Sequence, residues 1–195
     1  MKRLFPYMLL LVVSLLSATP QSVSAQQDRV YKSLSEVRNP ERVYQLKLCH
    51  KHLHQVPEEI RSMTNLRVLD LGKNAIIVIP AWIGELQNLE ELYIDRNHVC
   101  SIPPEIARLS NLKILDASRN PILELPDVMG EMSGLQKLIL WATGVYSLPP
   151  TFVALNESLK VLDLRSNRLS HQEQEALREL LPDVTKLWDQ SCNCK

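Results

Sequence analysis

Residues 66–88 read LRVLDLGKNAIIVIPAWIGELQN, and this stretch is the unit that the chain repeats. The same arrangement of leucines, asparagine and proline starts again at Leu89, Leu112 and Leu135, so the period is 23 residues. A period of this length predicts a solenoid, in which each repeat stacks on the next one.

The two halves of the unit favour different local structures. Leu69 and Leu71 are two residues apart and would point to one face of a short strand. Asn74 follows where the chain leaves the strand, and its amide can satisfy backbone donors and acceptors at the bend. Pro80 excludes a strand, and the three-residue apolar spacing from Ile83 indicates a helical or 3₁₀ return segment.

The repeated pattern resembles that of the leucine-rich repeat family, in its 23-residue class LxxLxLxxNxLxxLPxxIxxLxx. Lys51 and Thr143 replace the asparagine in two of the repeats. The resemblance implies an α/β solenoid of horseshoe shape, with a parallel β-sheet on the concave face and short helical or 3₁₀ segments on the convex face. It also implies binding of another protein through the concave face. Five successive repeats carry the resemblance, at 43–65, 66–88, 89–111, 112–134 and 135–158.

The first 25 residues have the features of a secretory signal peptide. Lys2 and Arg3 precede an apolar run over residues 4–16, and small residues precede a cleavage site expected after Ala25. A membrane anchor is the alternative, but the run is shorter than the roughly 20 residues of a spanning helix. We therefore expect an exported, bacterial-type protein, periplasmic or secreted, with no integral membrane association after cleavage.

Residues 26–42 do not follow the repeat and are expected to form an N-terminal cap. Apolar spacing of three residues predicts a short helix over residues 33–38, which Asn39 and Pro40 would end. Such a segment would shield the apolar face of the first repeat from water, which the end of a solenoid requires.

Residues 159–195 are expected to contain the last repeat and a C-terminal cap. Ser170 and Glu173 form a capping box in front of a helix that Pro182 ends. Residues 184–188 would then form an edge strand, with its tryptophan covering the last repeat.

Charge and motif content exclude several classes of function. Without the signal peptide the chain has 20 basic and 22 acidic residues, a net charge of −2, so nucleic acid is not an expected partner. No GxSxG elbow, HExxH helix or phosphate-binding glycine loop occurs in the sequence. We therefore predict a protein that is not an enzyme and holds no cofactor.

Four neighbouring side chains form the most reactive cluster of the sequence. Cys49, His50, His52 and His54 combine thiol and imidazole groups, which bind zinc or copper. Alternation would place the three histidines on one side of an extended segment. Because Leu53 belongs to the repeat pattern, the stretch is better interpreted as a solvent-exposed bend, and metal binding is the weakest hypothesis of function.

The four cysteines raise the question of disulfides in an exported protein. Cys49 and Cys100 belong to the first and third repeats, about 10 Å apart at the spacing of neighbouring strands, so we expect no bridge between them. Cys192 and Cys194 flank a single residue, where an internal bridge would be strained. An intermolecular disulfide or two free thiols remain as alternatives for this pair.

The outward face of the predicted sheet carries the candidate binding site. Its central column reads Lys47, Asp70, Tyr93, Asp116, Ile139 and Asp163. Lys73, Arg96 and Arg119 follow the strands as a basic row, which is expected to balance the aspartates. Tyr93, Ile114, Ile139 and Trp141 place large apolar groups where solvent is expected, and exposed aromatic and arginine residues at the centre of a surface are typical of a protein-binding hot spot. The predicted partner-binding residues are Tyr93, Asp95, Arg96, Ile114, Asp116, Arg119, Ile139 and Trp141.

Three functions of different classes are consistent with this sequence. The first is a non-catalytic recognition scaffold for a protein partner. The second is a carbohydrate or cell-envelope binding module, in which Trp141 and Tyr93 stack on sugar rings beside Asp95 and Asp116. The third is metal binding at the cysteine and histidine cluster.

Overall fold

The computed structural model describes residues 28–188 as a single curved solenoid. Its eight strands form one open sheet in chain order, and every neighbouring pair is parallel. The predicted leucine-rich-repeat solenoid is therefore confirmed. The strands are β1 (Val30–Tyr31), β2 (Gln45–Lys47), β3 (Val68–Asp70), β4 (Glu91–Tyr93), β5 (Ile114–Asp116), β6 (Lys137–Ile139), β7 (Val161–Asp163) and β8 (Thr185–Leu187).

Short 3₁₀ segments return the chain along the opposite side of the solenoid. In the repeats each begins directly after a proline whose φ lies between −72° and −58°, an angle that the pyrrolidine ring enforces. The 3₁₀ segments of the repeats are Glu58–Ser62, Ala81–Glu85, Pro104–Arg108, Asp127–Glu131 and Pro150–Glu157.

The core is a stack of inward side chains that runs through all the repeats. In each strand from β2 to β7 the central leucine is completely buried and lies beside its equivalent on the next of these strands. This row consists of Leu46, Leu69, Leu92, Leu115, Leu138 and Leu162. A continuous core of this kind explains why the repeats depend on their neighbours for stability.

Asn97 joins two neighbouring repeats at the bend after β4. Its Oδ1 accepts a hydrogen bond from the Ile76 N–H at 3.0 Å. Its Nδ2 donates to the carbonyl oxygens of Leu71 and Ile94, both at 3.0 Å. The expected role of asparagine at the bend is confirmed, because equivalent bonds are made by Asn74 and Asn120.

The N-terminal segment differs from the sequence prediction. The helix predicted over residues 33–38 is only the 3₁₀ turn Leu34–Glu36, and a second turn, Pro40–Arg42, follows it. The turn ends at Val37, whose backbone is extended, with φ of −85° and ψ of 107°, and whose N–H donates to the Leu34 carbonyl oxygen. The strand β1 was not predicted, since two residues are too few for a periodic pattern. Its Tyr31 is buried and extends the sheet by one strand.

The C-terminal segment agrees with its prediction. Helix α1 (His171–Leu180) begins with the expected capping box, in which Ser170 Oγ accepts from the Glu173 N–H at 3.2 Å and Glu173 Oε2 accepts from the Ser170 N–H at 2.7 Å. Trp188 packs against the core, and the Arg178 guanidinium lies 5.0 Å from its ring centroid.

Lys186 occupies the position of the buried leucine row in β8, where it pairs with Leu162. Its ammonium group donates to the carbonyl oxygens of Leu181 and Val184, the latter at 2.7 Å. Burial lowers the pKa of this lysine. A charged side chain in the core row disfavours the stacking of a further strand on β8.

Within residues 28–188 there is no helix that combines the length and the apolar character needed to cross a lipid bilayer. The signal peptide expected at residues 1–25, and Cys192 and Cys194, lie outside the described residues. The boundaries assigned to the caps and to the individual repeats remain predictions.

Candidate binding surface on the concave face

The outward columns of the sheet have the predicted register. Lys47, Asp70, Tyr93, Asp116, Ile139 and Asp163 lie on consecutive strands as direct neighbours. The structure therefore brings the eight candidate residues together on one face, around β4, β5 and β6. Six of them are half-buried rather than freely exposed, and only Arg96 and Arg119 are exposed.

Two carboxylates meet above a glycine at the middle of this face. A Cβ atom placed on Gly72 would lie 2.2 Å from Oδ1 of Asp95 and 3.2 Å from Oδ1 of Asp70. Glycine at this position thus leaves the space that the Asp95 carboxylate occupies. The pKa of Asp95 is raised by burial and by the negative charges of Asp116 and Asp70, and Lys73 and Arg96 only partly oppose this effect.

Tyr93 lies among these carboxylates. Its hydroxyl donates a hydrogen bond of 2.8 Å to Oε2 of Glu91. Burial, followed by this hydrogen bond and the charges of Glu91, Asp116 and Asp70, raises the pKa of Tyr93 to about 12. The phenol therefore stays neutral at physiological pH.

Trp141 and Arg119 form a stacked pair next to the acidic residues. The Arg119 guanidinium lies 4.4 Å from the centroid of the Trp141 ring, within the range of a cation–π interaction. Ile114 and Ile139 lie on the two adjacent strands β5 and β6 and are half-buried. The pair and the two isoleucines form a mixed apolar and cationic area, which we call the apolar band.

The residues of the basic row lie in a tight turn directly after their strands, and the sequence did not predict this turn. Lys73, Arg96 and Arg119 have φ of 56°, 52° and 55°, in the left-handed region that side chains other than glycine rarely adopt. Each backbone N–H donates to a carbonyl oxygen of the next repeat at 2.8 Å, which holds this conformation. The turn directs the three cations to the rim of the face. The predicted charge balance is partial, since Arg96 is the one member of the row that pairs with an aspartate, at 4.0 Å from Asp95.

The cysteine and histidine segment is the solvent-exposed bend that the sequence favoured, with His50, His52 and His54 exposed, and not the extended arrangement of the metal-binding alternative. His50 and His52 have φ of 57° and 55°, so the segment turns twice and its side chains do not alternate along an extended strand. Within residues 28–188 no three His, Cys, Asp or Glu side chains are grouped so as to hold a metal ion. Cys49 is half-buried and Cys100 is exposed, and both are free thiols.

The sequence reasoning missed a second apolar surface, on the flank of the solenoid. Ile77, Val78, Leu123 and Tyr146 are exposed by 54%, 62%, 54% and 41% of their surfaces. They lie three or four residues after the bend position, where the repeat pattern specifies no apolar residue. Apolar residues at unconstrained pattern positions are the signal that would have identified this flank.

Comparisons with known proteins agree with this architecture. A family model described as a leucine-rich repeat region matches residues 21–193. No sequence among the curated proteins matches the chain. Leucine-rich repeat proteins typically serve as scaffolds for protein interaction.

Three solved structures are similar to this one. A leucine-rich repeat protein of Leptospira interrogans is 32% identical, with a TM-score of 0.66 over 73% of this chain and 35% of that one. An internalin of Listeria monocytogenes is 21% identical, with a TM-score of 0.67 over 82% of this chain and 45% of that one, which shows the fold alone.

The third is the ectodomain of the plant receptor kinase GASSHO1/SCHENGEN3 of Arabidopsis thaliana, solved in complex with Casparian strip integrity factor 2. It is 30% identical, with a TM-score of 0.58 over 68% of this chain and 16% of that one. The chain thus spans less than half the length of each of these proteins. The repeat pattern, the parallel sheet and the match over residues 21–193 together show that the chain belongs to the leucine-rich repeat family.

Proposed function

We propose that this protein is an exported, non-catalytic recognition scaffold that binds another protein through its concave face. The observation that carries the proposal is the apolar band, which lies directly beside Tyr93 and the carboxylates of Asp95 and Asp116. Tryptophan, tyrosine and arginine are the residues that contribute most often to protein–protein affinity, and this surface presents Trp141, Tyr93 and Arg119 beside two isoleucines.

The contacts of the aromatic residues favour a protein over a carbohydrate partner. Sugar rings stack on an open aromatic face, but Arg119 already covers one face of Trp141. Tyr93 uses its hydroxyl in the hydrogen bond to Glu91, so this group is committed within the protein. A glycan partner remains the alternative, and binding on a glycan array distinguishes it from a protein partner.

The test is capture of partners from the envelope and surroundings of the producing cell, with wild-type protein and single-residue variants. We expect a defined protein whose capture falls about tenfold or more with Trp141→Ala and Tyr93→Ala, as for hot-spot residues. Tyr146→Ala, on the flank, is the matched aromatic control and should capture the partner normally.

Two outcomes would contradict the proposal. One is equal capture by wild type and by both concave-face variants, with thermal unfolding showing that the variants fold. The other is binding on a glycan array that Trp141→Ala abolishes, in the absence of a protein partner, which would favour the carbohydrate function.

Export is tested separately, on protein isolated from the producing cell. We expect mature protein that begins at Gln26, as determined by mass spectrometry of its N-terminal peptide. An intact N-terminus on protein found inside the cell would show that residues 1–25 are not a signal peptide.

A further inference from the structure

The outward positions of β3 to β5 carry acidic groups and no basic ones. Four carboxylates belong to this part of the face, those of Asp70, Glu91, Asp95 and Asp116. The remaining positions there are neutral: Val68, Gly72, Tyr93, Ile114 and Ser118. We call the four carboxylates the acidic band; the apolar band begins on β5 itself, with Ile114, and continues on β6.

The protein itself neutralises the acidic band only weakly. Among residues 28–188 no lysine or arginine nitrogen lies within 4.0 Å of the carboxylates of Asp70 or Asp116. Arg96 reaches Asp95 only at 4.0 Å and is itself about half exposed. Arg119 stacks on Trp141 instead.

In the last repeat, an arginine of the protein itself neutralises the outward aspartate. Asp163, in the same column as Asp70 and Asp116, accepts hydrogen bonds from Nε and Nη2 of Arg165 at 2.9 and 2.6 Å. This bidentate pair supplies the cation locally. The equivalent positions after Asp70 and Asp116 are Gly72 and Ser118, which carry no charge.

A protein that covers the concave face must remove water from the acidic band. Carboxylates that lose water without gaining a cation cost several kcal/mol each, so binding is favourable only when the partner supplies the opposite charge. The partner must also cover the adjacent isoleucines and Trp141 with apolar surface. Neighbouring parallel strands are roughly 4.8 Å apart, so the two bands lie within the reach of two side chains on one short segment.

We propose that the partner is a protein segment that places a lysine or arginine over the acidic band and an aliphatic or aromatic side chain against the apolar band. This inference rests on the proposed function, because it names the chemistry of the partner at the same face. Asp95 is its central contact, since its carboxylate lies above Gly72 between Asp70 and Asp116.

The experiment is selection of a random displayed peptide library on the purified full chain. Selected peptides are then synthesised, and their affinities are measured by calorimetry for wild type, Asp95→Asn/Asp116→Asn and Trp141→Ala. Glu131→Gln is the matched control, because Glu131 is an exposed carboxylate in a 3₁₀ segment away from the sheet. Circular dichroism and thermal unfolding confirm that each variant folds.

We expect peptides that contain a basic residue close to an aliphatic or aromatic one. Their affinity should fall about tenfold or more in the double variant and in Trp141→Ala, and it should weaken with added salt. Glu131→Gln should change it by less than about twofold, as for a distant surface charge.

Each other outcome overturns the inference in a distinguishable way. Peptides that lose affinity with Trp141→Ala but not with the double variant, or that contain no basic residue, would exclude the proposed chemistry and leave the concave binding face intact. Peptides that bind all variants equally, or a selection that yields no peptide, would count against the inference and against the proposed function together.

Discussion

The repeats that contain β3 to β5 differ from the two C-terminal repeats at the bend and on the concave face. Asn97 is buried and forms hydrogen bonds to two repeats at once. Thr143 takes the equivalent position in the fifth repeat, and its hydroxyl has a single proton to share between the Leu140 carbonyl oxygen at 3.0 Å and Asn167 Oδ1 at 2.7 Å. Asn167 makes the usual bonds to the preceding repeat, with its Oδ1 accepting from the Gly144 N–H at 2.8 Å and its Nδ2 donating to the Leu140 carbonyl oxygen at 2.7 Å. Thr143 makes no such bonds to the fourth repeat, where the Ile122 N–H donates to the Asn120 carbonyl oxygen instead.

The same repeats also differ in whether an arginine neutralises the outward aspartate. Asp163 is buried and held by two bonds from Arg165. Asp95 lies beside other carboxylates, and its pKa is raised. The bend asparagines contribute to folding through their hydrogen bonds, whereas the ionised Asp95 carboxylate opposes it, and Asp95 is the central contact that we propose for a partner.

The largest expected effect on stability comes from removing an asparagine that joins two repeats at a bend. Asn97→Ala leaves the buried Ile76 N–H without its partner, and it removes one of two donated bonds from the Leu71 and Ile94 carbonyl oxygens, which keep their bonds from Asn74 and Asn120. An unsatisfied buried N–H costs about 1–3 kcal/mol and each lost hydrogen bond about 0.5–1.5 kcal/mol, so we expect a loss of about 3 kcal/mol in the free energy of unfolding. Thr143→Ala should cost about 1 kcal/mol, because only one donated bond is lost. Urea unfolding measures both, and equal losses would refute the contrast between the two bends.

Substitutions of Asp163 and Asp95 should have intermediate effects on stability, and these two effects should differ. Asp163→Asn weakens the bidentate pair with Arg165 and should cost about 1–2 kcal/mol, given that Arg165 is half exposed. Asp95→Asn should leave stability at pH 7 unchanged or increased. Because the folded-state pKa of Asp95 is raised, its ionisation opposes folding. The stability that Asp95 contributes is present below its ordinary pKa of 3.8 and is lost as the pH rises through its raised pKa in the folded protein.

The measurement is thermal unfolding of both variants across pH. If Asp95→Asn is more stable than wild type at pH 7, this difference in stability should disappear as the pH falls below 3.8. If Asp95→Asn is instead less stable than wild type at neutral pH, the Asp95 carboxylate stabilises the fold and the prediction is wrong.

The smallest expected effect tests the left-handed turn. Ala142 has φ of 52°, a conformation that glycine adopts without steric cost, so Ala142→Gly should stabilise the protein by about 0.5–1 kcal/mol. Ala154→Gly, in the 3₁₀ segment of the same repeat, should destabilise it by a similar amount. Chemical unfolding of the two variants should therefore show changes of opposite sign, and changes of the same sign would disprove the role of the turn.

Most of the fold could be predicted because the spacing of leucines specifies it. Once Leu69 and Leu92 are placed inward, alternation along each strand determines that Asp70 and Tyr93 point outward and become neighbours. The capping box at Ser170 was equally local and equally predictable. The two-residue strand β1 and Lys186 in the leucine row could not be predicted, because neither follows the pattern.

Less of the candidate surface was predictable. The outward residues were identified correctly by column, but their half-burial and the turn of Arg96 and Arg119 toward the rim depend on the backbone at the end of each strand. The exposed flank at Ile77 and Leu123 was overlooked because the repeat pattern leaves those positions unspecified.

The sequence by itself determined the period, the parallel register and the set of side chains on the concave face, because these follow from regular spacing along the chain. Only the tertiary structure decided which charges are neutralised: Arg165 pairs with Asp163, whereas Arg119 stacks on Trp141, and among residues 28–188 no lysine or arginine nitrogen lies within 4.0 Å of the Asp116 carboxylate. Such pairings depend on side-chain conformations and on distances of a few ångströms, and repeat spacing encodes neither.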